Sequence, residues 1–469
     1  MKKYVVLAAT ALLVVNAFAQ TEPFGTFTKP FAADSPWNIR PIGPVFGTYS
    51  PPKAPINYGA VGGGIFSSRA FLASPDDPQM VVYPPVGQAS MADPDAGGSV
   101  ASVTIPRWPA ATTPATGSDG HADIVDPITG RVHSFWQLKF ANGQWHAALH
   151  AWSQIDGRGW GDPGHHYQGA RATGVPTLGG MIRAHEVDDG KDHYEHALAI
   201  SLAHAGLSRN PPYIYPATSA DKDATWTNAA TGGVPEGTLL MLPPDYVMGT
   251  DNPLLKKVVE TLKIYGARVV DRNTATPFVI YVENGANFPL YQGGDVDTNV
   301  YREMERMRAA MRQVVSAYSY VDGNGNPTTA NEQGNFNILS MRGPWERNSA
   351  SGVVAPFNSL TQSIEFPAQP NYIEQKNGNS TGIAGGAVAN GGVIWGRPEA
   401  GAKYRVTGIG TGGARVKVIL YGTTTNADTG WLLNGQSSVV TWPAGGWALV
   451  LAQNPANQAG SIRATMIKQ

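Results

Sequence analysis

The chain has 469 residues, a formal net charge of −1 and only 15% charged residues. No whole-molecule field draws it to nucleic acid or to anionic membranes. It contains no cysteine, which excludes disulfides, thiolate metal sites and a cysteine nucleophile.

The elements follow in chain order. Met1-Lys2-Lys3 is a positive start, residues 4–15 form an apolar run too short to span a bilayer, and Ala17-Phe18-Ala19 supplies a small-x-small cleavage site. Residues 1–19 therefore read as a cleavable signal peptide of Gram-negative-type export, leaving a secreted or periplasmic protein with no membrane association. No later stretch approaches the roughly 20 apolar residues of a spanning helix. The remainder, poor in charge and rich in Gly, Pro, Trp and Tyr, reads as mainly β with many loops.

Residues 20–322 are expected to form a β-sandwich or jelly-roll-like body carrying the catalytic function. It opens with an extended arm punctuated by Phe24, Phe27, Phe31 and Trp37, followed by short strands over 80–83 and 99–105. A strand over 121–125, a turn at 127–130 and a hairpin centred on Asn142-Gly143 come next. Turning the chain there opposes Ala141 to Gln144 and fixes the register outward. Trp136, Leu138, Phe140, Trp145, Ala147 and Leu149 then share one face, expected to be core. His133, Phe135, His146, His150 and Trp152 share the other, expected to be polar and aromatic.

Strands are expected over 196–202 and 238–242. A helix follows with Asn252 as cap, Pro253 at its first position and Gly266 past its end, its stripe being Leu254, Leu255, Val258, Val259, Leu262 and Tyr265. Apolar strands over 267–270 and 278–282 precede a second, arginine-bearing helix over 298–317, whose basic face reads as a solvated surface. Asp322-Gly-Asn-Gly-Asn-Pro327 is a turn-rich break. Residues 335–469 read as a C-terminal, all-β sandwich-like accessory domain without a helix.

All ten histidines fall between His121 and His204. Histidine serves proton transfer near neutral pH, metal binding and sugar hydroxyls, so the crowding predicts that several converge on a ligand groove. Densest is Arg183-Ala-His-Glu-Val-Asp-Asp-Gly-Lys-Asp-His-Tyr-Glu-His196. There Glu186, Tyr194 and His196 suit general acid/base work, and Arg183 suits a bidentate grip on an anionic group. The plain alternative is a hydrophilic loop before a strand. Trp152 and Trp160 are candidates for stacking on sugar faces.

No cofactor is expected. A divalent metal is the rival chemistry, but His146 and His150 stand about 13 Å apart along a strand, and His193 with His196 suit one metal only on a helix. Calcium through Asp119, Asp123 and Asp126 is a further alternative, set against ordinary acidic turns.

The stretches Ala33-Asp-Ser-Pro-Trp-Asn38, Asp119-Gly-His-Ala-Asp-Ile-Val-Asp-Pro127 and His196-Ala-Leu-Ala-Ile-Ser201 resemble a group of secreted bacterial proteins, most of them without an assigned activity. The resemblance covers about residues 30–285. It implies export and a compact β-rich body, and it marks His121 and His196 for testing.

The combined expectation is a secreted polysaccharide-degrading enzyme, leaning to a lyase on an acidic polysaccharide. His196, Tyr194, Glu186 and His121 are its catalytic candidates. Arg183, His133, His146, His150, Trp152 and Asp123 are its substrate-binding candidates. A glycoside hydrolase pairing Glu186 with Asp123 and a non-catalytic glycan-binding or surface protein are the alternatives. The expected partner is the polysaccharide substrate, without nucleic acid or membrane.

Overall fold

The computed structural model describes residues 22–55, 58–95, 98–162, 165–209, 211–221, 232–290, 298–330, 337–349, 352–359, 361–368, 370, 372–377, 393–394 and 398–469. The expected signal peptide lies outside them. The protein is mainly β; among the described residues there are two α-helices, and none of the sheets closes into a barrel. Among the described residues no helix is long and apolar enough to cross a membrane.

Strand periodicity builds the body in layers. In Leu198–Ala203, the centre of an eight-stranded sheet, Leu198, Ile200 and Leu202 face one core while Ala199 faces another. The first core is filled by α1 (Pro253–Ile264) and α2 (Thr298–Ala310), through Leu255, Val258, Val259 and Leu262 of α1 and Met304 and Met307 of α2. Burying each such side chain is worth about 1.5–3 kcal/mol. Asn252 caps α1 as its sequence predicts, its side chain accepting from Leu255 N at 3.1 Å. Gly266 closes the helix at φ 76°.

The second core lies between this sheet and a six-stranded one containing Ala122–Asp126, Arg131–Trp136 and Leu149–Gln154, with Val125 and Val132 meeting Val270 and Tyr281. The far face of the six-stranded sheet packs Ile124 and Phe135 against Val82 and Ile105 of a four-stranded sheet. Residues 337–469 contribute a six-stranded and a four-stranded sheet enclosing a separate core around Trp345, Val418, Val450 and Ile462, with no helix among the described residues. Arg342 ties this part to the body through Asp93 at 2.6 Å and Asp95 at 2.8 Å.

The hairpin register holds along its whole length. Ala141 opposes Gln144, Lys139 opposes His146, and beyond the break Trp136 opposes Leu149 and His133 opposes Trp152. The facing expectation holds for Leu138 and Ala147, which are core, and is corrected for the rest. Phe140 is 58% exposed whereas Phe135 is 0% exposed. Gln137, at φ 55°, interrupts the strand and sends residues 139–146 into the four-stranded sheet, while residues 131–136 stay in a sheet covered on both sides. Trp160, expected to be open to a ligand, is 0% exposed and stacks on Trp37 at 5.4 Å.

The strand expected over 99–105 is two, Gly98–Val100 and Val103–Ile105. The second helix ends at Ala310, and Arg312–Val321 is a strand paired antiparallel with Arg40–Phe46. Its Val-Val and Tyr-rich pattern favours the pleated conformation once a partner strand is present.

Candidate functional site

The segment between Leu178 and His196 and the N-terminal arm enclose a cavity of about 220 Å³. Its floor depends on Gly180, whose φ is 68° and where a Cβ would meet Trp37 Cζ3 at 2.3 Å. Arg183, Glu186 and His196 all line it, together with His185. These three expected site residues are thus brought together, carried by the 3-10 turn Ala184–Glu186 and by the approach to Leu198–Ala203.

The polar contacts are specific. His196 Nε2 lies 3.2 Å from Glu186 Oε2, and its Nδ1 lies 2.9 Å from the Ala197 carbonyl. Burial opposes the charged ring, but Glu186, by charge and hydrogen bond, outweighs it and raises the His196 pKa above its ordinary value. Burial likewise opposes ionised Glu186, yet His196 and the Arg183 N–H at 2.8 Å hold its carboxyl down at about 2. The pair is therefore a carboxylate and an imidazolium that donates from both nitrogens.

Arg183 is 2% exposed. Its Nε donates to Glu283 at 3.2 Å and its Nη1 to the Phe27 carbonyl at 3.1 Å, while the guanidinium lies 4.5 Å from the Phe27 ring centroid. The arm is held over the cavity by these contacts, by His185 Nε2 to the Thr28 carbonyl at 3.3 Å, and by Lys29 to Glu195 at 3.3 Å. Arm residues were legible as aromatic punctuation but not as a cavity wall. Lys257 was missed altogether. From α1 its ammonium donates to the Glu186 carbonyl at 2.6 Å and pairs with Asp189, and it lies 4.7 Å from the Tyr194 ring centroid. A lysine on the buried stripe of a helix was the available signal.

Tyr194 does not line the cavity. It is 1% exposed, and burial, with Glu186 and Asp189 adding, pushes its phenol well above the usual range. His193 lies apart, its Nδ1 2.5 Å from Asp192.

The other candidates are elsewhere. His133 and His150 do share a face, with Nδ1 to Nε2 at 3.2 Å and rings stacked at 5.4 Å, but that face is interior. Burial first, with Arg131 adding, brings His133 down to about 4. Burial first and then His133 bring His150 well below its ordinary value. Trp152 packs on His165 at 4.2 Å and under the Arg131 guanidinium at 4.4 Å. His146 sits by itself against the Pro84 carbonyl at 2.6 Å.

His121 is 2% exposed and held down to about 4 by burial, with Arg171 adding. Asp123 is 0% exposed, its Oδ2 accepting from Leu178 N at 2.6 Å behind the cavity wall, and burial raises its pKa. Near His121 lies a polar cluster that no motif announced. Arg171 Nη1 meets Asp271 at 2.9 Å, Asp221 N donates to Glu236 at 2.9 Å, and the Arg272 N–H is shared between Asp221 and Asp271. Burial and then the neighbouring Asp221 lift Asp271 to about 7.

The ten histidines therefore do not converge on one groove. Crowding in sequence was spread over several layers because successive strands enter different sheets. Among the described residues no group of three or more His, Asp or Glu is arranged to hold a metal ion. Asp119, Asp123 and Asp126 are engaged separately, by Trp136, Leu178 and Arg107.

No family model matches the chain, and no curated protein matches it. Among solved structures, a glycosylation-associated protein complex from Streptococcus agalactiae aligns at 10% identity over 23% of this chain and 39% of that chain, with a TM-score of 0.14. Accessory secretory proteins 1, 2 and 3 of Streptococcus pneumoniae align at 10% identity over 30% of this chain and 99% of that chain, also with a TM-score of 0.14. The chain thus spans about two fifths of the length of the first. Likeness at this level carries no argument about function.

Proposed function

We propose that the protein is a secreted polysaccharide-degrading enzyme that works at the arm-covered cavity, as a lyase on an acidic polysaccharide. The observation supporting this reading is that Arg183, Glu186 and His196 line one hollow, with His196 hydrogen-bonded to Glu186 at 3.2 Å. Elimination from a uronate needs a cation for the carboxylate and a group that moves a proton. Arg183 takes the first role. His196 takes the second once neutral: it removes the proton at C5, the C–H electrons form the C4–C5 double bond, the C4–O bond breaks, and the imidazolium returns the proton to the departing oxygen. Of the carboxylates that hydrolysis by Glu186 and Asp123 would use, Asp123 does not line the cavity.

A second reading is favoured by the electrostatics. Each member of the pair holds its partner in the charged form, Glu186 lowered by His196 and His196 raised by Glu186, as suits a site that binds a glycan without reacting.

Incubation of the purified protein with acidic and neutral polysaccharides separates these readings. New ultraviolet absorbance from unsaturated ends that is lost in His196→Gln supports the lyase. Reducing ends without that absorbance would replace it by a hydrolase, and binding without either product by the glycan-binding reading.

A further inference from the structure

A second hollow, of about 410 Å³, lies away from the catalytic candidates. Asn142 and Gly143, at φ 53° and 76°, turn the hairpin, and its strand Gln144–His146 runs parallel to Met80–Tyr83, placing His146 beside Tyr83. After Tyr83 the chain turns away through Pro84, Pro85, Val86 and Gly87. The hollow opens between that turn and the hairpin tip.

Its lining holds no Asp, Glu, Lys or Arg. The polar ones are the Tyr83 phenol, the Gln88, Asn142 and Gln144 amides and the His146 imidazole. Amides both donate and accept, the pattern that vicinal sugar hydroxyls require, and a phenol ring offers a flat apolar surface with a polar edge. His146 adds a directed demand. A carbonyl only accepts, so the 2.6 Å contact with the Pro84 carbonyl fixes the proton on Nδ1. In the neutral ring Nε2 is then an acceptor, and it is buried without a partner among the described residues. An unmet buried acceptor is costly. A ligand hydroxyl is the kind of donor it lacks.

We infer that this hollow is a binding subsite for a neutral saccharide. A phosphate or uronate would find no cation here, and a nucleic acid no basic track. The inference goes beyond the lyase reading and does not depend on it.

The test is retardation of the full-length protein in native gels containing a neutral glucan, a xylan, a galactomannan or an acidic polysaccharide. Gln88 and Gln144 are exposed, so Gln88→Ala and Gln144→Ala leave the fold intact. At least one neutral glycan retards the parent protein, and each substitution weakens that retention about tenfold, the effect of one lost hydrogen bond. Lys403→Ala, exposed and lining neither hollow, leaves neutral-glycan retention unchanged. Absence of retention on every neutral glycan, or equal retention by the parent and both alanine variants, would overturn the inference. Because retention is read without catalysis, a failure of the lyase reading does not affect the outcome.

Discussion

His196 and Glu186 form a half-buried, two-sided pair: the ring lies 3.2 Å from the carboxylate through one nitrogen and 2.9 Å from its neighbour's carbonyl through the other. The folded His196 pKa is raised above 6.5, so its contribution is complete below that value and fades as pH climbs through the folded value. The folded Glu186 pKa is depressed to about 2 from 4.5, so its contribution is complete above 4.5 and fades as pH falls toward 2. Both are fully present between 4.5 and 6.5. Glu186→Gln should cost about 2 kcal/mol in that window and less in alkali. Urea unfolding of both proteins in mildly acidic and in alkaline buffer checks this; a constant difference across pH refutes the pairing.

On the lyase reading, the same pair sets the pH dependence of turnover. Elimination by neutral His196 should accelerate as pH rises past the raised His196 value and then level off. His196→Gln should lose about a hundredfold or more. Initial rates of ultraviolet product formation against pH provide the measurement. A rate that falls from mild acid to alkali would assign the proton transfer elsewhere.

Lys257→Met removes the ammonium that holds the Glu186 carbonyl and Asp189. The turn carrying Glu186 should loosen, with a stability loss of about 1–3 kcal/mol. Hydrogen exchange at residues 186–189 should quicken more than in the centre of α1. Equal protection in both proteins would leave Lys257 as packing alone.

Gly180→Ala places a Cβ 2.3 Å from the Trp37 ring at a positive φ. A loss of about 3 kcal/mol or more is expected, since strain and overpacking add. Thermal unfolding at fixed pH checks it, and near-ultraviolet circular dichroism should report displacement of the Trp37–Trp160 stack.

Arg342→Ala leaves Asp93 and Asp95 without their buried cation. Breaking such a pair costs about 3–5 kcal/mol. Calorimetry should then resolve the C-terminal sheets melting apart from the body. A single unshifted transition would show that this link contributes little.

What the sequence determined by itself was local. The Asn142-Gly143 turn set a register that runs from Ala141–Gln144 to His133–Trp152, because period-two strands joined by a short turn have little freedom to slip. Cap, stripe and closing glycine likewise delimited α1, and Arg183, Glu186 and His196 stand close enough in one segment to be grouped by sequence alone. Tertiary structure decided what covers each face. Phe135 became interior because a sheet built from residues 80–83, 103–105 and 139–146 packs on it, and Arg312–Val321 became a strand because Arg40–Phe46 lies alongside. The cavity needed an arm more than 140 residues upstream of the acid/base pair. Periodicity records the geometry of neighbours along the chain, whereas burial depends on segments that meet only after folding, so the chemistry of the candidate groups was legible and their surroundings were not.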